Sequence, residues 1–207
     1  MNAEATPQVK LVAFDMGGVM IDVDESIPVN TFASMSGRGP GEVFATIFSP
    51  ERKQPIETGA ISPDEHARRA CDDLGLRLSP GEFWQIHCTS HAPNSEVGEI
   101  VCATAGLRQI TIASNLPLPH WDWAQANLPY APAFDPPILS FELGIMKPDS
   151  GYYLELIRRS GVSGPEIFFT DDREENVAAA ASLGIRAFLF QDAAKLIADL
   201  KSCGISF

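Results

Sequence analysis

Ile167-Phe168-Phe169-Thr170-Asp171-Asp172 is an apolar run that ends in two adjacent carboxylates. A second run of the same kind, Leu11-Val12-Ala13-Phe14-Asp15, lies about 150 residues earlier and also ends in a carboxylate. Near-continuous apolar runs of this length are the pattern of strands covered on both faces, as in parallel sheets. Three further runs have the same character: Gln109–Ala113, Pro137–Leu139 and Arg186–Phe190. With Lys10–Phe14 and Ile167–Thr170 they make five predicted strands. Helical patterns separate them, at Glu96–Ala105, Gly151–Ser160, Glu174–Leu183 and Ala193–Ser202. Asp149 or Ser150 is placed to cap the second of these, and Gly184 to end the third. Strand and helix in alternation predict an α/β fold with a doubly wound, mostly parallel sheet.

One segment interrupts the alternation. Between the first strand and Glu96 there is no strong strand pattern. Ser62-Pro63-Asp64-Glu65 and Ser79-Pro80-Gly81-Glu82 both read as capping boxes with proline at the first helical position. They predict helices over Pro63–Leu74 and Pro80–His91, with weaker helical patterns at Val29–Met35 and Glu42–Phe48. The chain is therefore expected to divide into an α/β core, residues 1–22 and 93–207, and a helical insertion, residues 23–92, seated over the strand edge that carries Asp15.

Composition narrows the partners. The 207 residues carry 15 basic and 27 acidic side chains, a formal net charge of −12. That balance argues against nucleic acid and against an anionic membrane as main partners. Cys71, Cys88, Cys102 and Cys203 form no C-x-x-C pair, so zinc and redox motifs are not expected. The segment Met1–Pro7 lacks a basic region followed by an apolar stretch, and no apolar run reaches the roughly 18 residues of a membrane span. The expected location is cytoplasmic.

The carboxylates define a candidate site. Open α/β sheets bind ligands at the C-terminal edge of their strands. Asp15, Asp171 and Asp172 converging there would repel one another unless a cation or shared proton lay between them. Oxygen-only ligands suit Mg²⁺, which commonly also takes substrate phosphate. Gly17 and Gly18 allow a tight turn with the backbone close to a ligand. Ser114-Asn115, ending the second strand, offers a hydroxyl and an amide to a phosphoryl oxygen. Lys147, in Gly144-Ile145-Met146-Lys147-Pro148-Asp149, supplies a cation near the same edge.

Phe14-Asp15-Met16-Gly17-Gly18-Val19, Ala113-Ser114-Asn115, Lys147-Pro148-Asp149 and Phe169-Thr170-Asp171-Asp172 resemble, in order, the four motifs of the haloacid dehalogenase (HAD) superfamily. The resemblance runs from about Val9 to Phe190. It is nearest to the small sugar-phosphate phosphatases with a helical cap after the first strand, and the phosphatase domain of soluble epoxide hydrolase is also similar. Glu57-Thr58-Gly59-Ala60-Ile61-Ser62 resembles that group's cap signature, and His120 and Trp123 resemble residues beyond its second motif. The resemblance implies Asp15 as nucleophile, forming an aspartyl-phosphate. It implies Mg²⁺ held by Asp15, the Gly17 carbonyl and Asp172, with Asp171 mainly behind them. It further implies phosphoryl oxygens held by Ser114 and Asn115, charge neutralised by Lys147, and an acidic loop supported by Asn176. The implied activity is hydrolysis of a small phosphorylated metabolite. In one respect the chain departs from the pattern. Most phosphatases of the superfamily carry Asp two residues after the nucleophile as general acid and base, and here that residue is Gly17. Asp22, Asp24 and His120 are candidate substitutes, and nothing in the sequence chooses among them. Two other readings stand beside this one: a phospholigand-binding protein that keeps the fold without catalysis, and a metal-independent 2-haloacid dehalogenase.

Overall fold

A computed structural model of the chain describes residues 7–207; residues 1–6, read above as carrying no signal peptide, lie outside it. The elements are, in chain order, β1 (Leu11–Phe14), β2 (Ile21–Val23), α1 (Ser26–Ser36), α2 (Pro40–Ile47), α3 (Pro50–Glu57), α4 (Pro63–Leu74), α5 (Pro80–His87) and β3 (His91–Pro93). There follow α6 (Ser95–Ala105), β4 (Gln109–Ser114), α7 (Leu118–Asn127), β5 (Ile138–Leu139), α8 (Ser140–Leu143) and α9 (Ser150–Ser160). The chain closes with β6 (Ile167–Asp171), α10 (Glu174–Ser182), β7 (Arg186–Leu189) and α11 (Ala193–Ser202).

β1, β4, β5, β6 and β7 form one parallel sheet in the order β5-β4-β1-β6-β7. All five correspond to the predicted runs. The chain moves outward from β1 through β4 to β5, then returns to the other side of β1 for β6 and β7. The reversal leaves a crevice at the C-terminal end of β1, where such sheets bind ligands. Alternation along β1 divides the core in two. Val12 and Phe14 pack with α6, α7 and α11 through Val97, Ile100, Trp121, Leu196 and Leu200. Leu11 and Ala13 pack with α9 and α10 through Tyr152, Tyr153, Leu156 and Ala180. Both faces are covered by helices, which is why the strands read as continuous apolar runs.

The helices α1 to α5 bury a cluster of their own, which includes Phe32, Val43, Ile47, Phe48, Ile56, Leu74, Phe83 and Trp84. They leave and rejoin the chain through the antiparallel pair β2–β3, with Ile21 opposite Pro93 and Val23 opposite His91. These three-residue strands had no signature in the sequence. Nor had α7, because Leu116-Pro117-Leu118-Pro119 reads as a breaker. Pro119 falls in the first turn of α7, where its missing N–H removes no helical bond. One of the two expected capping boxes is incomplete. At α5 the box closes in both directions, with the Glu82 N–H donating to Ser79 Oγ (3.3 Å) and the Ser79 N–H donating to Glu82 Oε2 (2.8 Å). At α4 only the Glu65 N–H to Ser62 Oγ bond forms, because the Glu65 carboxylate pairs with Arg69 one turn on. Asp149 caps α9 by accepting from the Gly151 N–H (2.7 Å). No helix among the described residues is long and apolar enough to cross a membrane.

Candidate active site

The parallel register brings the scattered motifs together. Phe14 lies opposite Ile112 on β4 and Thr170 on β6, so Asp15, Ser114 and Asp171 emerge at one edge. The Asp15 N–H donates to the Thr170 carbonyl (3.0 Å), which extends the ladder one residue and fixes where the carboxylate leaves the sheet. Carboxylate oxygens of Asp15, Asp171 and Asp172 lie within 4.8 Å of one another.

Lys147 is the cation among them. Its Nζ sits 3.0 Å from Asp15 Oδ1 and 2.6 Å from Asp171 Oδ2, and it donates to the Ala113 carbonyl (2.8 Å). The side chain is 1% exposed. Such burial is tolerable for an ammonium only when it is paired and hydrogen-bonded. Burial would lower the Lys147 pKa, but Asp15 and Asp171 outweigh it and the net direction is upward. Burial pushes Asp15 up to about 6; Lys147 and the Ser114 hydroxyl pull against that, while Asp171 adds to it.

The other expected residues separate by what they touch. Both carboxylate oxygens of Asp171 are hydrogen-bonded: Oδ1 accepts from the Arg173 N–H (2.9 Å) and Asn176 Nδ2 (2.9 Å), and Oδ2 from Lys147. Asp172 is exposed at the cleft, and partial burial together with Asp171 raises its pKa. Asn115 turns its amide on Lys147 rather than outward. Its Nδ2 donates to the Lys147 carbonyl (2.8 Å) and its Oδ1 accepts from the Lys147 N–H (2.8 Å). Asn115 therefore positions the lysine. Asp22 is an exposed β2 residue, and Asp24 Oδ1 accepts from the backbone and hydroxyl of Ser26 at the start of α1. Neither lines the cleft around Asp15. His120 lies in a group of imidazoles. Its Nε2 is 3.2 Å from His87 Nδ1, its ring centroid is 4.4 Å from that of His91, and Trp84 bridges toward His66. Burial holds all four histidines below the usual imidazole range, His66 and His91 at about 4. Cys88 lies beside them, but burial pushes its thiol up to about 12.

Of the two adjacent glycines, Gly18 is the one the turn requires. Its φ is +74°, and a Cβ there would stand 2.4 Å from Asp172 Oδ2. Glycine at this position lets the acidic loop close over the end of β1. Gly17 is not in the left-handed region, and a Cβ there would meet only Val23 Cγ2, at an ordinary 3.6 Å.

No protein-family model matches the chain. It is 26% identical over 207 residues to a sesquiterpene phosphatase (astK) of Aspergillus oryzae, an alignment covering 93% of this chain and 95% of that protein. It is 25% identical over 191 residues to the D-ribitol-5-phosphate phosphatase of Bacteroides thetaiotaomicron, covering 87% and 91%. A crystal structure of a HAD family enzyme from Bacteroides thetaiotaomicron, in complex with magnesium and inorganic phosphate, superposes with a TM-score of 0.81 at 21% identity, covering 91% of this chain and 98% of that one. The chain has the fold of HAD family enzymes.

Within this site, sequence reasoning assigned no chemistry to Glu57. It is the last residue of α3 and lines the cleft around Asp15, Gly17, Lys147 and Asp172. It also lines an adjoining cavity of about 190 Å³, formed by Met16, Ile21, Val23, Ile47, Ile56 and the imidazoles of His87, His91 and His120. Burial pushes Glu57 up to about 7, against the pull of Lys53 and Arg173. Its signal was present in the cap segment Glu57–Ser62, which marks a boundary between elements and says nothing of where the carboxylate points.

Proposed function

We propose that this chain is a Mg²⁺-dependent phosphatase of the HAD superfamily that hydrolyses a small phosphorylated metabolite through an aspartyl-phosphate intermediate. The observation that carries the reading is the arrangement of three carboxylates around one buried ammonium at the C-terminal edge of β1. One lysine cannot balance three carboxylates, and the donor set is oxygen only, which fits Mg²⁺. Asp15, the Gly17 carbonyl and Asp172 would hold the ion, with Asp171 behind them orienting Lys147 and the loop. Bound there, Mg²⁺ would neutralise phosphoryl charge and relieve the repulsion between carboxylates.

The residues supply the rest. Asp15 Oδ attacks phosphorus, the bond to the leaving oxygen breaks, and the phosphoryl group rests on Asp15 until water displaces it. Lys147 offsets negative charge on nucleophile and phosphoryl group in a site screened from solvent. Ser114 donates to a phosphoryl oxygen, and Asn115 fixes the lysine backbone. The helical segment 23–92 acts as a cap, whose Ile47, Ile56 and Lys53 wall the cavity that receives the leaving group.

Turnover of p-nitrophenyl phosphate tests the reading. Activity with Mg²⁺ that disappears in EDTA and in Asp15→Asn is the expected result. Halide release from a 2-haloacid in EDTA, or silence in both assays with phosphate still bound, would overturn it.

A further inference from the structure

Position 17 leaves the site without an acid on the β1 turn, and the structure supplies one from the opposite side. The cleft around Asp15 and the adjoining cavity share four lining residues: Gly17, Glu57, Ser114 and Asn115. A phosphate ester with its phosphoryl group over Asp15 and its leaving group in the cavity has its scissile oxygen at that junction. Ser114 belongs to the phosphoryl side, Asn115 is committed to Lys147, and Gly17 has no side chain. Glu57 is the only shared residue that can give and take a proton near neutrality.

The backbone that carries Glu57 is anchored to the core. Ser140 Oγ donates to the Glu57 carbonyl (2.5 Å) and accepts from the Leu116 N–H (3.0 Å), tying the end of α3 to the loop after β4. Two residues on, Gly59 takes φ +67° and lies so close to α8 that a Cβ would stand 2.4 Å from the Phe141 carbonyl. The end of α3 is pressed onto the core where its carboxylate borders the cleft.

We propose that Glu57 is the general acid–base of this site, in the role that an aspartate at position 17 would otherwise fill. The inference rests on the phosphatase reading above. In the first step the Glu57 carboxylic acid gives its proton to the leaving alkoxide oxygen as the P–O bond breaks, and becomes carboxylate. In the second it takes a proton from the water that attacks the aspartyl-phosphate, and the acid is restored with release of phosphate. Two features favour the protonated form at rest: burial, and a position at the C-terminus of a helix, where the backbone dipole disfavours an anion. The charged and titratable groups around it are Lys53 on α3, Glu25 before α1, Asp15, Lys147, Asp172 and Arg173 at the cleft, and His87, His91 and His120 on the cavity wall.

The test compares wild type with Glu57→Gln, with Mg²⁺ present, on a series of aryl and alkyl phosphate monoesters. It reads kcat/KM against leaving-group pKa. This quantity reports steps through departure of the leaving group, so it isolates proton donation from later hydrolysis of the phosphoenzyme. Wild type is expected to show a shallow plot. Glu57→Gln is expected to stay within about tenfold on p-nitrophenyl phosphate while losing roughly 10²–10⁴-fold on alkyl esters. It should also release a burst of p-nitrophenol, because its phosphoenzyme hydrolyses slowly. The double variant Gly17→Asp/Glu57→Gln should regain alkyl ester hydrolysis, since the backbone at position 17 accepts a side chain. Parallel plots for wild type and Glu57→Gln overturn the proposal. So does a steep wild-type plot, which decides the matter even if Glu57→Gln fails to fold. A wild type silent on every ester is a different result: it removes the phosphatase reading itself.

Discussion

Lys147 is held by Asp15, Asp171, the Ala113 carbonyl and the two arms of Asn115, all in an interior that excludes water. Removing it strands two carboxylates with no counter-charge. Lys147→Ala should therefore lose stability as well as turnover, by about 3–5 kcal/mol, the usual cost of breaking a buried pair from one side. Urea unfolding with and without Mg²⁺ checks this; the cation should restore part of the loss by binding only the folded state. Unchanged stability would mean that the carboxylates take up protons without penalty. Asp172 offers a cleaner probe, because it is exposed and supports nothing else among the hydrogen bonds described. Mg²⁺ should raise the Tm of wild type and leave that of Asp172→Ala where it was. An equal rise in both would remove Asp172 from the ligand set. At this scale Asp15, Asp171 and Asp172 stood out because each ends or follows an apolar run, and Lys147 because it precedes Pro148 and a helix near the same edge. The commitment of Asn115 to a backbone 32 residues away was not, because it depends on how two loops meet.

Among elements, the parallel strands were readable because burial on both faces leaves a mark in composition. β2 and β3 were not: three residues make no pattern, and their role is mechanical, carrying the chain into and out of the helices. α7 was hidden by prolines that sit harmlessly in its first turn. The docking of α3 on α8 depends on Gly59, and there the geometry yields a sharp expectation. Gly59→Ala meets both a left-handed φ, worth about 1–2 kcal/mol for a residue with a Cβ, and a carbonyl at 2.4 Å. It should lower Tm and displace Glu57, so that hydrolysis of alkyl esters falls further than hydrolysis of p-nitrophenyl phosphate. A uniform loss across esters would show that the contact holds the fold but not the carboxylate.

For the whole molecule, α/β architecture and a helical insertion could be read from the alternation of patterns and its interruption. The gathering of every histidine in the chain could not. His66, His87, His91 and His120 are spread over 55 positions, on α4, α5, β3 and α7, and only tertiary packing joins them. All four stay neutral in the fold well below the pH at which an exposed imidazole takes a proton, about 6.5. Between pH 6.5 and about 4 the unfolded chain therefore binds protons here that the folded chain refuses, and stability falls as pH falls. Asp15, Glu57 and Asp172 act in the opposite sense, Asp15 and Glu57 holding protons in the fold below about 6 and 7 and Asp172 shifted upward with them, but three carboxyls do not balance four imidazoles. Urea titrations from pH 7 to pH 5 should show a decline of roughly 1.4 kcal/mol per pH unit for each net proton. A level or rising profile would contradict it. The loss has a location as well as a size. Because His87 and His91 both touch His120 across the line where the insertion meets the sheet domain, the first of these to be charged repels its neighbours and admits water to them. Acid should thus unfasten the molecule along that line, as a zip opens from one tooth.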